Sequence, residues 1–162
     1  MDTPGLNESY ERDLPNMIEV VKSAHRLDRV HAVILVMKVD SRMDQTYKDT
    51  VLYYQKLLTP KVFNANLIIV LSGYKPRDMK YRIKPQLPQQ IFDQSAADVK
   101  KLLGLSKDPM VHGLNSMPET EEDLDESSRA RNRILRSAAA NLAPPRLRGF
   151  KVPRHMLQRG CT

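Results

Sequence analysis

The sequence predicts an α/β domain with a doubly wound, mainly parallel sheet. Three short apolar runs alternate with amphipathic helical patterns. They are His31 to Met37, Asn66 to Leu71 and Pro109 to Leu114. The first two are rich in β-branched residues and apolar at nearly every position, the pattern of strands buried on both faces of a parallel sheet. The segments between the runs are long enough for crossover helices, and such connections are right-handed. Ligands of sheets built this way bind outside the carboxyl ends of the strands.

The helices follow from spacing. Leu14, Ile18, Val21 and His25 recur at helical intervals, with Pro15 in the first turn. Tyr47, Val51, Tyr54 and Leu58 repeat that spacing, and Asp44 stands where a cap belongs. Ile91, Val99, Leu102 and Leu103 mark a third helix. Ser116-Met-Pro-Glu119 reads as a capping box opening a fourth. Acidic residues crowd the start of that helix, and Arg129, Arg131, Arg133 and Arg136 crowd its end, in keeping with the helix dipole. Leu124, Ile134, Leu135, Ala138 and Leu142 are expected to form its buried stripe. Tyr74 to Pro88, with three prolines, reads as a polar loop.

Composition sets the boundaries. The chain has 162 residues, 41% hydrophobic and 28% charged, which is globular composition. One cysteine, Cys161, points to a reducing, intracellular and cytoplasmic setting. No basic segment followed by an apolar stretch opens the chain, so no signal peptide is expected. The longest apolar run, centred on Ala32 to Met37, is far short of the roughly 20 residues of a membrane span. The net charge of +7 is concentrated in residues 143–162, which carry five Lys or Arg and no Asp or Glu. Residues 1–142 therefore read as the folded domain and residues 143–162 as a flexible, solvated basic tail. Binding of nucleic acid through that tail is the lesser alternative.

Asp2-Thr3-Pro4-Gly5-Leu6 is the segment richest in chemistry. A carboxylate such as that of Asp2, at a strand end, can hold Mg²⁺ directly or through water. A glycine three residues on, Gly5, lets the backbone approach a γ-phosphate closely enough to donate its N–H. Loss of that contact on hydrolysis releases the following segment, the usual logic of a switch. An ordinary Pro-Gly turn also explains the four residues, but a polar stretch, a helix and a buried strand follow in the order of a G domain.

Taken with Val30 to Val36, Ser41-Arg42-Met43-Asp44 and the helix through Tyr53 to Leu58, this stretch resembles the AIG-type G domain. That is the family of immunity-associated nucleotide-binding proteins, relatives of septins and of chloroplast import GTPases. The resemblance covers roughly Asp2 to Leu142 and is most specific up to Leu71. It implies a fold of the P-loop GTPase type, GTP or GDP with Mg²⁺ as ligands, slow hydrolysis, and self-association through the switch face. It places Asp2 at the metal and Gly5 at the γ-phosphate. Ser72 falls at the guanine motif, and Asn115 falls in the last motif, beside the base. A carboxylate is required to accept from guanine N1–H and N2–H₂. Lys75 stands at its position, and Asp78 follows three residues later. Helix capping is the alternative role of Asn115 and Ser116.

The sequence contains no G-x-x-x-x-G-K-[ST]. That loop supplies backbone donors for the α- and β-phosphates, a Lys, and a hydroxyl for Mg²⁺. The expectation is thus an N-terminally incomplete G domain with weak or lost nucleotide binding, or a non-enzymatic interaction module derived from one. Lys38-Val39-Asp40 offers a second guanine-motif candidate, with Met37 in place of its Asn. His25, His31, His112 and His155 lack ligand-like spacing. Tyr47, Tyr53 and Tyr54 read as helix packing rather than a base-stacking platform.

Overall fold

The computed structural model describes residues 15–16, 18–20, 22–23, 26, 29–39, 43–75 and 87–140. Three parallel strands, β1 (Val33–Lys38), β2 (Leu67–Ser72) and β3 (Met110–Leu114), form one sheet in the order β1-β2-β3. Between β1 and β2 lie α1 (Gln45–Leu58) and the short α2 (Pro60–Ala65). Helix α3 (Leu87–Leu103) joins β2 to β3, and α4 (Glu121–Ala139) follows β3. Residues 15–16, 18–20 and 22–23 are helical, as the spacing before β1 predicts, and Val20 is buried there. The fold is α/β with a parallel sheet, compatible with a Rossmann-like arrangement.

Helix α1 begins where Asp44 caps it, its carboxylate accepting from the Tyr47 N–H at 2.7 Å. It ends at Leu58 because the next residue, Thr59, precedes a proline, and that position disfavours helical backbone. Thr59 takes a φ of 71°, and Pro60 starts a separate turn that buries Val62 and Phe63. The Tyr47 hydroxyl donates to the Val36 carbonyl at 3.4 Å, and burial pushes its pKa up to about 12.

The front core packs α1, α2 and α3 onto one face of the sheet. Leu35 and Met37 of β1, Leu67, Ile69 and Leu71 of β2, and Val51, Phe63, Val99 and Leu103 of the helices meet there. Both crossovers thus lie on this face. Helix α4 covers the other face, where Ile134 packs on Ile68 and Val70. Strand β2 is buried from both sides, as its composition predicts.

Strand β1 departs from that expectation. Leu35 and Met37 are buried, but Ile34 and Val36, on the opposite face, are exposed. They stand in register with the buried Ile68 and Val70, so they share the face that α4 covers. Helix α4 lies over β2 and β3 instead of β1, which leaves them open.

Two further corrections concern α4. It starts four residues later than Ser116-Met-Pro-Glu119 implies. Thr120 caps it by accepting from the Asp123 N–H at 3.1 Å, and the Asp123 carboxylate accepts from the Glu119 N–H at 3.4 Å. The Thr120 hydroxyl thus caps the first turn while Asp123 reaches back to the residue before the cap, and Pro118 stays outside the helix. The buried stripe is Ala130 and Ile134, with Ala138 half-buried, whereas Leu124 and Leu135 are exposed. Leu142 lies outside the described residues. Helix α3 also opens earlier than the polar-loop reading implies, with Pro88 inside its first turn.

One buried side chain ties the amino ends of the strands to the end of α4. Asn66 donates from Nδ2 to the His31 carbonyl at 3.0 Å and the Ser137 carbonyl at 3.3 Å. Replacing it, Asn66→Ala, removes both bonds made by this buried side chain and should lower unfolding stability by about 1–3 kcal/mol. Urea unfolding followed by circular dichroism checks it. An unchanged midpoint would show that the bridge contributes nothing.

Candidate functional site

The carboxyl ends of the three strands form the sheet edge where a ligand of this fold class belongs. Strand β2 ends at Ser72, whose hydroxyl donates to the Met37 carbonyl at 3.2 Å across to β1. Beyond β1, the Val39 N–H donates to the Ser72 carbonyl at 3.0 Å. Gly73 turns the chain with a φ of 70°, a conformation glycine adopts without strain. The Tyr74 N–H then donates to the Leu114 carbonyl at 3.2 Å, extending the pairing toward β3.

Ser72 pairs with Leu114, so Asn115 sits one residue beyond it on the next strand. The fold thus brings together two of the residues that the G-domain resemblance singles out. Asn115 is 7% exposed. Its Oδ1 accepts from the Met117 N–H at 3.1 Å, closing an Asx turn, and its carbonyl accepts from the Ser127 hydroxyl at 2.9 Å. No described residue accepts from its Nδ2. The helix cap is Thr120, so Asn115 and Ser116 do not cap α4. Asp2, Gly5 and Asp78 lie outside the described residues, as do Asp40, Ser41 and Arg42.

Lys75 occupies the position where the resemblance calls for a carboxylate. Its Nζ lies 2.6 Å from Glu119 Oε1, joining the segment after β2 to the segment before α4. The pair is largely exposed and adds little to stability. Its effect is local. An ammonium paired with Glu119 stands where the resemblance calls for a carboxylate acceptor. Among the described residues no group of three or more His, Cys, Asp or Glu has the arrangement of a metal site.

The most tightly fitted feature here was not singled out from sequence. The Tyr74 ring lies against Gly113, and a Cβ at Gly113 would overlap its Cγ and Cδ1. The ring also packs on Phe92 of α3, with centroids 5.2 Å apart and planes tilted by 46°. Burial, then the nearby Glu126 carboxylate, raises the Tyr74 phenol pKa. The one available signal was Gly113 itself, since a glycine inside a strand pattern marks close approach. On the α4 side of β3, His112 Nε2 lies 3.2 Å from the Ser137 hydroxyl. Burial, then Arg133, lowers the His112 pKa.

A shallow cleft of about 490 Å³ opens between α3 and the start of β3, lined by Phe92, Asp93, Ala96, Asp108, Pro109 and Val111. It lies toward the amino end of β3, away from Ser72 and Asn115. Among the described residues, no helix is long and apolar enough to cross a membrane. Comparison of the chain with protein-family models, with curated proteins and with solved structures finds no match.

The overlap at Gly113 sets an expectation. Gly113→Ala should displace the Tyr74 ring from Phe92 and cost about 1–3 kcal/mol of stability, the usual penalty of overpacking. Denaturant unfolding with the tyrosine near-UV signal reads both effects. An unperturbed signal with unchanged stability would show that the ring has room to move.

Proposed function

We infer that the chain is the base-side part of an AIG-type, septin-like G domain that on its own binds GTP or GDP weakly or not at all. One observation carries this reading. The described strands run in consecutive order with both crossovers on one face. Open α/β sheets bind ligands where the order reverses and neighbouring crossovers diverge to opposite faces, because only there does a crevice open between them. The described sheet has no such reversal. Ser72 and Asn115 stand at the correct edge, but the crevice for phosphates is missing beside them.

The residue chemistry agrees. In the complete domain, Asp2 would hold Mg²⁺ and Gly5 would sense the γ-phosphate, with Ser72, Asp78 and Asn115 near the base. The Gly-rich Lys-Ser/Thr loop, which supplies much of the phosphate affinity, is absent from the sequence. The ion pair of Lys75 with Glu119 offers no acceptor pair to guanine. The helix, buried strand and further helix that follow the DTPG segment stand in the order that the family resemblance implies.

A second reading is a non-enzymatic interaction module. The exposure of Ile34 and Val36 on an edge strand favours it, since such a strand presents apolar side chains and backbone groups to a partner.

Titration of the full chain with fluorescent GTP in Mg²⁺ tests the first reading. No saturable binding below about 100 μM is expected, because phosphate contacts are lacking. Micromolar or tighter affinity, competed by GTP and GDP, would overturn it and establish a working nucleotide site.

A further inference from the structure

Four of the large apolar side chains exposed on the described surface belong to one area. Ile34 and Val36 of β1 are 44% and 58% exposed, and Leu124 and Leu135 of α4 are 55% and 56% exposed. Their adjacency follows from the geometry of α4. Ser137 faces β3, where its hydroxyl meets His112, and Arg133 and Glu126 act on His112 and Tyr74 from that same flank. Ile134 points down onto Ile68 and Val70. Leu124 and Leu135 are eleven residues apart, three helical turns, so they share a flank. That flank is opposite the one carrying Glu126, Arg133 and Ser137, and it therefore lies toward β1. Among the described residues α4 does not cover Ile34 and Val36, so the two leucines border a trough floored by them.

The charges around the leucines identify what fits there. Glu121 and Asp125 border Leu124 in the first half of the helix. Arg131 and Arg136 border Leu135 in the second half. All four are exposed. A helix laid antiparallel along this flank must be basic where α4 is acidic and acidic where α4 is basic. Helix α4 itself has that pattern.

We propose that a second copy of this chain docks on the trough, the two α4 helices packing antiparallel about a two-fold axis that passes between residues 129 and 130. Leu124 then lies beside the partner's Leu135 and Leu135 beside the partner's Leu124. Glu121 and Asp125 come within a turn of the partner's Arg136 and Arg131. Each pairing occurs twice, because a two-fold interface is self-complementary. The contact closes over Ile34 and Val36 of both copies. This interface is separate from the sheet edge holding Ser72 and Asn115, and it does not rest on the nucleotide reading.

The test is a charge-reversal pair in the full chain. One variant, Glu121→Lys with Asp125→Lys, makes the flank wholly basic. The other, Arg131→Glu with Arg136→Glu, makes it wholly acidic. Sedimentation equilibrium of the wild type should show a monomer–dimer equilibrium that weakens with added salt. Each variant alone should dimerise at least about tenfold more weakly, since four favourable pairs become four repulsive ones. An equimolar mixture should restore a dimer containing one of each, because every pairing is then complementary. Circular dichroism melts confirm that the exposed substitutions leave the fold intact. If a variant does not fold, Leu135→Asp, which buries no charge in the monomer, should abolish dimerisation in its place. A wild type that remains monomeric at several hundred micromolar would overturn the proposal, as would variants that dimerise unchanged or a mixture that forms no mixed dimer. A monomer in which the chain's own residues shield Ile34 and Val36 would give the first of these results.

Discussion

Strand β2 is the constraint on which the rest of the structure depends. Of the described strands, it alone is paired along both edges, to β1 on one side and β3 on the other. It is covered on both faces, by the front helices at Ile69 and by α4 at Ile68, and neither side chain retains any exposure. Backbone groups buried this way must pair, and the parallel ladders on either side satisfy them. Asn66, immediately before the strand, ties its start to the end of α4. Ser72, its last residue, ties its end to β1. Everything else is arranged by distance from this strand, and coverage thins toward β1.

That gradient explains the character of the candidate site. A sheet that adds strands in one direction with crossovers on one face grows a continuous core but never opens a crevice. The candidate edge is consequently built from short tethers. The Ser72 hydroxyl, the turn at Gly73, the Tyr74 ring over Gly113 and the Lys75–Glu119 pair join neighbouring loops to one another. Asn115 is held from its oxygen side, its Oδ1 accepting from the Met117 N–H and its carbonyl from the Ser127 hydroxyl. Among the described residues, the exposed face of β1 and the undivided strand ends share one feature, that no described strand pairs with β1 on its outer side.

How much of this was legible in the sequence varies with the physics of each element. Strand β2 was readable because unbroken apolarity has only one stable place in a parallel sheet. Helix α1 was readable because Asp44 and the Tyr47-Val51-Tyr54-Leu58 spacing agree. Strand β1 looked identical to β2, since Ile34 and Val36 are as apolar as Leu35 and Met37; side-chain type does not record which face a neighbour covers. For α4, two overlapping cap patterns, Ser116 with Glu119 and Thr120 with Asp123, compete, and in the structure Thr120 caps the helix while Asn115 closes a turn before it. Leu124 and Leu135 fit a helical stripe by spacing, yet Ala130 and Ile134 fit it too, and only the position of the sheet decides between flanks. Helix α2 has too few residues to show a period. At the candidate site, the sequence placed Ser72 and Asn115 at the ends of two apolar runs, and the structure makes those strands neighbours, whereas Tyr74 over Gly113 is a long-range contact that no local pattern encodes.

Residue-resolved amide hydrogen exchange tests the central claim, that coverage is complete at β2 and ends at β1. In β1, alternate N–H groups point to β2, as the Val33 and Val39 donations to Asn66 and Ser72 show, so those of Ile34 and Val36 point to the outer edge. The slowest exchange should fall on Ile68 to Leu71. Within β1, Leu35 and Met37 should be protected while Ile34 and Val36 exchange much faster, an alternation that marks an open edge. Uniform protection along β1, equal to that of β2, would contradict the account, for it would mean that the outer edge is already paired and the sheet does not end there.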